Sequence, residues 1–339
     1  MPTTPAPMRR RTWLQAAGLS AALASLASLG GRSALAQSWP SRPVKILVGS
    51  APGGPSDFMS RIMSDAVAPT LGQPFVIENK PGASGMPAAD QVAKATPDGH
   101  TLLATGPASI VVVPHLFPKL PYNPQTDLVP VTMLGAGAFV LVAHPSLGIN
   151  SVQELIALAR AKPGSIAYAS GGNGSSGHLG TELFCQQTGI QMTHVPYKGD
   201  GAALPDLLSG QVQVMFTAPN VPMAQVKAGR LKLLAVTTRE RVSSMPDTPS
   251  VHEAGVKDFE YLGWICIFAP ARTPQAVIDQ LHAAWNKARQ VPAVRDKLEG
   301  LAMYAPERYS SREALQAFLR AEGTRLGKVI RDANVKAEG

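Results

Sequence analysis

The chain has 339 residues, of which 45% are hydrophobic and 16% charged, and a formal net charge of +8. That is ample apolar content for one large core or two smaller ones, and 31 Gly with 30 Pro imply short elements joined by many turns. The basic excess does not mark a nucleic-acid binder, because no Lys/Arg block interleaved with aromatics occurs.

Part of the excess belongs to the N-terminus. Arg9, Arg10 and Arg11 precede an apolar stretch over 13–29, and Ala34-Leu35-Ala36 supplies the small residues of an A-x-A cleavage site. This predicts a secretory signal peptide over 1–36, cut between Ala36 and Gln37. Arg10-Arg11-Thr12-Trp13-Leu14 is similar to a twin-arginine signal, so Tat and Sec export both stay open. Without this segment 27 basic and 23 acidic residues remain, a net charge of +4. No second long apolar segment follows, which predicts a soluble exported protein.

The mature chain opens on a β-branched run, Val44–Val48, followed by Ser50-Ala51-Pro52-Gly53-Gly54-Pro55-Ser56-Asp57 and a helical pattern that ends at Gly72. Strand, glycine turn and helix in this order can cradle an anion: the glycines allow close approach, Ser56 or Asp57 can cap the helix, and the helix N-terminus favours negative charge. An ordinary βα turn is the alternative. A strand over 75–78 and a Gly-rich turn over 81–85 lead to a helix near 88–95. A strand over 100–104 then runs into Thr105-Gly106-Pro107-Ala108-Ser109. The five prolines of 114–130 predict irregular structure, and 131–134 and 139–143 read as apolar strands.

Ser151-Val152-Gln153-Glu154 is a capping box. A strand over 166–169 enters Ser170-Gly171-Gly172-Asn173-Gly174-Ser175-Ser176-Gly177 and a helix through His178 and Glu182, so the opening design occurs twice. Shorter strands and helices follow, with Tyr197-Lys198-Gly199-Asp200 at a strand end, an apolar strand over 261–268, and helices that start at Thr273-Pro274 and Ser310-Ser311. Such alternation favours parallel sheets with ligands beyond the strands' carboxyl ends. Two facing sheets would set both glycine loops across one cleft. Cys185, on a helix, and Cys266, in a buried strand, read as free thiols, although export permits a disulfide.

Other chemistries lack their motifs. No Walker loop occurs, no G-x-S-x-G elbow stands in the mature chain, and the seven His form no H-E-x-x-H. No metal and no cofactor is expected. An exported hydrolase using Ser175 or Ser176 with His178 is the rival from another class, and a periplasmic ligand sensor is a second.

Taken in series, several motifs resemble one family. They are Pro52-Gly53-Gly54-Pro55-Ser56-Asp57, Glu78-Asn79-Lys80-Pro81-Gly82-Ala83-Ser84-Gly85, Pro97-Asp98-Gly99-His100, Leu120-Pro121-Tyr122, Gly172-Asn173-Gly174-Ser175-Ser176-Gly177-His178-Leu179, His194-Val195-Pro196-Tyr197-Lys198-Gly199 and Phe268-Ala269-Pro270. The family is the Bug-type receptors, the extracytoplasmic solute-binding proteins of tripartite tricarboxylate transporters. The resemblance spans essentially the whole mature chain. His100 departs from a usual Tyr, Ala202 from a common Pro and Gln213 from a common Asp.

The resemblance implies a type II periplasmic-binding-protein fold, with two α/β domains around a ligand cleft joined by hinge segments. Domain one is expected over 37–141 and 262–339, and domain two over 142–261. The implied function is capture of a small organic carboxylate in the periplasm and its presentation to a membrane permease, by a monomer that is not an enzyme. The loops at Pro52, Gly53, Gly54, Ser56 and Asp57 and at Gly172, Asn173, Gly174, Ser175 and Ser176 would hold the ligand carboxylate. Thr105, Ser109 and Asp200 would read its distal end, Trp264 would cover apolar parts, and His178 and Tyr197 would line the site. Hinges are expected near 139–143 and 261–264.

Overall fold

The computed structural model describes residues 39–300 and 302–337. The expected signal segment 1–36 and its cleavage point lie outside them. The chain divides into Met1–Ser41 and a compact unit, Arg42–Gly339, which holds both sheets.

β1 (Val44–Val48) is almost wholly buried, as its apolar, β-branched sequence requires. It leads through the first glycine loop into α1 (Pro55–Leu71). Pro55 stands at the first helical position, where its missing N–H costs no bond. Gly72, left-handed at φ 72°, ends the helix. β2 (Phe75–Asn79), α2 (Met86–Ala93) and β3 (Thr101–Thr105) follow. A π-helical turn, Ala108–Val112, then runs into α3 (Val113–Leu116). The β-branched run Ile110 to Val113 gives no local hint of a helix, and this element is absent from the sequence reading.

β4 (Leu128–Ala138) begins earlier and is longer than expected, and it includes Pro130. Its one neighbour besides β10 is β11, which pairs only with Gly137 and Ala136. The Pro130 end is therefore a sheet edge that tolerates proline. β5 (Val140–Ala143) continues after a single residue, Phe139. There follow α4 (Val152–Ala161), capped by Ser151, and β6 (Ala167–Ser170). The next pairs are α5 (Ser176–Thr188) with β7 (Thr193–Pro196), α6 (Asp200–Ser209) with β8 (Val214–Thr217), and α7 (Met223–Lys227) with β9 (Lys232–Val236). The chain returns through β10 (Leu262–Pro270) and ends with α8 (Gln275–Arg289), α9 (Pro292–Gly300), β11 (Met303–Tyr304) and α10 (Arg312–Asp332).

The first sheet has the order β11-β4-β10-β3-β1-β2 and the second β7-β6-β8-β5-β9. Both are mixed, not parallel. β10 runs against β3 and β4, and β5 against β8 and β9. The reason is connectivity: β4 leaves the first sheet straight into β5 of the second, and β10 brings the chain back. Alternation of strands and helices could not show this.

The crossings are tightly built. A Cβ on Gly263 would sit 2.9 Å from the Phe139 ring, which packs on Tyr261 at 5.6 Å. Thr237, fully buried just past β9, bonds both Phe139 and Tyr261. The halves have separate aromatic centres: Trp285 meets Phe75 edge-on at 5.5 Å in the first, and Phe184, Phe216 and Phe259 cluster in the second. α10 packs on β4 and α3 of the first half and on α5 of the second. Among the described residues, no helix is long and apolar enough to cross a membrane.

Candidate functional site

Three loops converge at the carboxyl edge of the first sheet. A Cβ on Gly49 would stand 3.1 Å from Gly85 Cα, so the backbones of the first two loops touch. Thr105 Oγ1 and Ser109 Oγ, both buried, share a 2.7 Å hydrogen bond, and the Ser109 carbonyl accepts from Tyr122 Oη at 2.6 Å. Thr105 and Ser109 thus brace the third loop.

In the first loop Pro52 and Gly53 are exposed. The Gly53 amide donates back to Asp57 Oδ2 at 3.0 Å, and the Gly54 amide to the Ala51 carbonyl at 3.3 Å. Asp57 is buried and held by Arg61 at 2.9 Å. Burial alone would raise its pKa, but the Arg61 and Gly53 hydrogen bonds outweigh it and hold the carboxyl below the usual range. The first intrahelical bond of α1 runs from Phe58 N to Gly54 O. The Ser56 and Asp57 amides are therefore the ones α1 leaves without helical acceptors. The Ser50 hydroxyl is buried and meets no partner among the described residues.

The second loop follows the same plan. The Gly172 amide donates to Ser170 Oγ at 3.2 Å, the Ser175 amide to Gly172 O at 3.1 Å, and the Gly174 amide to His178 Nδ1 at 3.1 Å. Ser175 Oγ caps α5 by accepting from His178 N. Asn173 is exposed at the tip. Ser176 and Gly177 keep the orphan amides of α5. A Cβ on Gly177 would lie 2.5 Å from Phe216 O, so only glycine lets α5 start this close to β8. Gly174 meets the first half: a Cβ there would stand 2.9 Å from Leu116 Cδ1.

His178 stacks on His194 at 3.7 Å, His194 stacks on Tyr168 at 4.9 Å, and His194 Nε2 bonds Ser170 Oγ at 2.6 Å. Because Gly174 N–H points at Nδ1, the neutral His178 ring carries its proton on Nε2. Burial, then His194, pushes its pKa down to about 3. The Ser175 hydroxyl is turned to the His178 backbone, and Ser176 hydrogen-bonds Tyr261. Among the described residues, neither of these hydroxyls is hydrogen-bonded to the His178 ring.

Two expected residues are engaged within the protein. Trp264 is buried and packs edge-on against Phe318 of α10 at 6.1 Å, because its position on β10 points it into the core. Tyr197 donates to Asp206 Oδ2 at 2.7 Å and packs on the second half's core; burial and Asp206 raise its pKa to about 12. Gly53, Gly54, Gly174 and Ser175 spend their amides within their own turns, which moves the free donors to Ser56, Asp57, Ser176 and Gly177.

A cavity of about 530 Å³ joins the two halves beside the crossings. Gly53, Pro55 and Phe58 of the first half and Ala218, Pro219, Asn220 and Met223 of the second line it, together with Phe139 and Gly263 of the crossings. The loop after β8 is missing from the sequence reading, since Ala218-Pro219-Asn220 carries no glycine signature. Phe58 is 48% exposed, a large apolar side chain facing open space.

The family described as "Tripartite tricarboxylate transporter family receptor" matches residues 59–335. Protein BugT of Bordetella pertussis is 35% identical over 302 residues, 89% of this chain and 92% of BugT. Among solved structures, R. palustris Rpa4515 with adipate is 32% identical, with a TM-score of 0.74 over 88% of this chain and 99% of that one. MatC (Rpa3494) from Rhodopseudomonas palustris with bound malate is also 32% identical, with a TM-score of 0.71 over 86% and 100%. The two mixed sheets joined by two crossings are the two-domain α/β fold of periplasmic binding proteins. This chain belongs to the tripartite tricarboxylate transporter family of receptors.

Proposed function

We propose that the protein, exported and monomeric, captures a small organic carboxylate between its two halves and presents it to the membrane permease of a tripartite transporter, without chemical turnover. One observation carries this reading: α1 and α5 both start at a strand's carboxyl end behind a glycine turn, with orphan amides at Ser56 and Asp57 and at Ser176 and Gly177. Two helix N-termini favour an anion, and Lys227, which lines the cavity, adds a side-chain cation. The adipate of Rpa4515 and the malate of MatC, both carboxylates, support the same class.

The moving bodies would be 37–141 with 262–339 against 142–261, turning about Phe139 and Tyr261. A ligand favours the closed form only by touching both bodies at once. Thermal melts over a broad panel of organic acids, paired with small-angle scattering, test this. A binding acid should raise the melting temperature and reduce the radius of gyration. A panel in which no acid shifts the melt would remove the carboxylate reading.

A further inference from the structure

Among the described residues one Lys or Arg is buried: Arg289, in the last turn of α8, is 3% exposed. The buried carboxylates Asp57 and Glu322 each have an ion-pair partner, Arg61 at 2.9 Å and Arg325 at 2.6 Å. Arg289 has no such counterpart. Its one described hydrogen bond runs from Nη1 to the Met133 carbonyl and is long, at 3.4 Å. Its Nε is buried and meets no acceptor among the described residues. Glu307 attracts it through space, but the described hydrogen bond of that carboxylate comes from Gln290 Nε2 at 3.0 Å.

Burial lowers the Arg289 pKa, yet a guanidinium stays charged in a protein. A buried charge without a counter-ion is costly, and so is a buried N–H without an acceptor. The carbonyl end of α8 favours a cation, and Glu307 adds to this, but neither supplies the missing acceptor. The side chain lines a cavity of about 290 Å³ bounded by α8, α9 and β11 of the first half. Leu298, Met303 and Tyr304 also line it, as do the exposed Arg295, Glu299 and Glu307. No residue of either glycine loop does, so this cavity is distinct from the one between the halves, although Met303 lines both. Water screens the exposed acids and does not screen the buried arginine. A single negative charge is therefore favoured at Arg289, whereas a multivalent anion would be repelled by Glu299 and Glu307.

We propose that this cavity is a second anion site, in which Arg289 holds a small monovalent oxyanion of the carboxylate type. A planar guanidinium matches the planar carboxylate, and a charge-assisted bond to it supplies both the acceptor and the counter-charge that the protein leaves out. The site takes nothing from the glycine loops, so it stands or falls apart from the solute-binding reading.

The test is the urea midpoint of the full mature protein, freed of copurified solute, as sodium acetate replaces sodium chloride at constant ionic strength. In the wild type the midpoint should rise with acetate and level off, as a saturable site requires. In Arg289→Met that saturable rise should vanish. Without acetate this variant should be no less stable than the wild type, since it removes an unpaired buried charge. Arg295→Gln changes an exposed residue of the same cavity, and it decides the matter should Arg289→Met not fold. It should raise the half-saturating acetate concentration about threefold or more. A wild-type midpoint that acetate leaves unchanged would overturn the proposal, as would an unchanged half-saturating concentration in Arg295→Gln. So would a saturable rise of full size in Arg289→Met, which would put the acetate in the cleft between the halves. A loss of stability in Arg289→Met that is the same with and without acetate would overturn it too, because the arginine would then be satisfied by the protein alone.

Discussion

Phe139 and Thr237 are hydrogen-bonded in both directions: Phe139 N–H donates to Thr237 Oγ1 at 2.8 Å, and Thr237 N–H to Phe139 O at 2.9 Å. Thr237 does the same with the second crossing. Its hydroxyl donates to Tyr261 O at 2.6 Å and its carbonyl accepts from Tyr261 N at 2.8 Å. One buried threonine therefore ties together both segments that join the halves. In Thr237→Val the shape is kept, but the Phe139 amide and the Tyr261 carbonyl lose this partner. A loss of about 1–3 kcal/mol is expected, read as a lower urea midpoint with an unchanged slope. An unaltered midpoint would mean that the hydroxyl does not hold the crossings.

Gly177→Ala tests how closely α5 must start against β8. The added Cβ meets the Phe216 carbonyl at 2.5 Å, backbone against backbone, with no flexible side chain to give way. Destabilisation of about 1–3 kcal/mol is expected, together with weaker ligand binding as the loop shifts. Gly201→Ala is the control, because a Cβ there meets nothing within 4 Å. It should be neutral or stabilising by about 0.5–1 kcal/mol in thermal melts.

His178 makes stability depend on acid. Its pKa is about 3 in the native state, against 6.5 for an ordinary histidine. Below pH 6.5 the unfolded chain takes up a proton that the folded chain refuses until about pH 3. The His178 contribution is thus fully present above pH 6.5 and is lost as the pH falls toward the native value. The slope it adds is at most about 1.4 kcal/mol per pH unit. His178→Gln keeps an acceptor for the Gly174 amide but cannot titrate, so its stability–pH curve should be shallower over this window. Curves of equal slope would show that the ring is not kept neutral.

Cys185 and Cys266 are buried and unbridged. Burial raises the Cys185 thiol to about 12, and burial alone raises Cys266 further from its reactive range. Both should resist a thiol reagent at neutral pH in the native protein and react in denaturant without reductant. Absence of titratable thiols after denaturation would show a bridge.

What could be read from sequence was local. β1 with its glycine turn and α1, the repeat of that unit at 170–177, and the caps at Ser151 and Ser311 are each written within a few residues of one another. What could not be read depends on distant partners. Trp264 is turned inward by Phe318 on the last helix, and a strand tryptophan alone does not show which face it takes. The amides of Gly53 and Gly174 are taken by side chains that fold back four residues, from Asp57 and His178. Either side chain could equally have faced solvent. The Ala218–Asn220 stretch reaches the cavity only because β8 lies beside β5, an order that strand and helix alternation cannot supply.

The return of β10 also governs the order in which the chain can become complete. β10 lies between β3 and β4 in the first sheet, yet it begins at Leu262, whereas β3 ends at Thr105 and β4 at Ala138. A chain emerging from its N-terminus therefore holds β1 to β4 with the central position of their sheet vacant. Every strand of the second sheet, closed by β9 at Val236, is already present by then. Closing the first sheet waits on a long loop closure, the kind of step that slows folding and leaves strand edges open to wrong pairing. The half that comes second along the chain is thus the first that can finish folding.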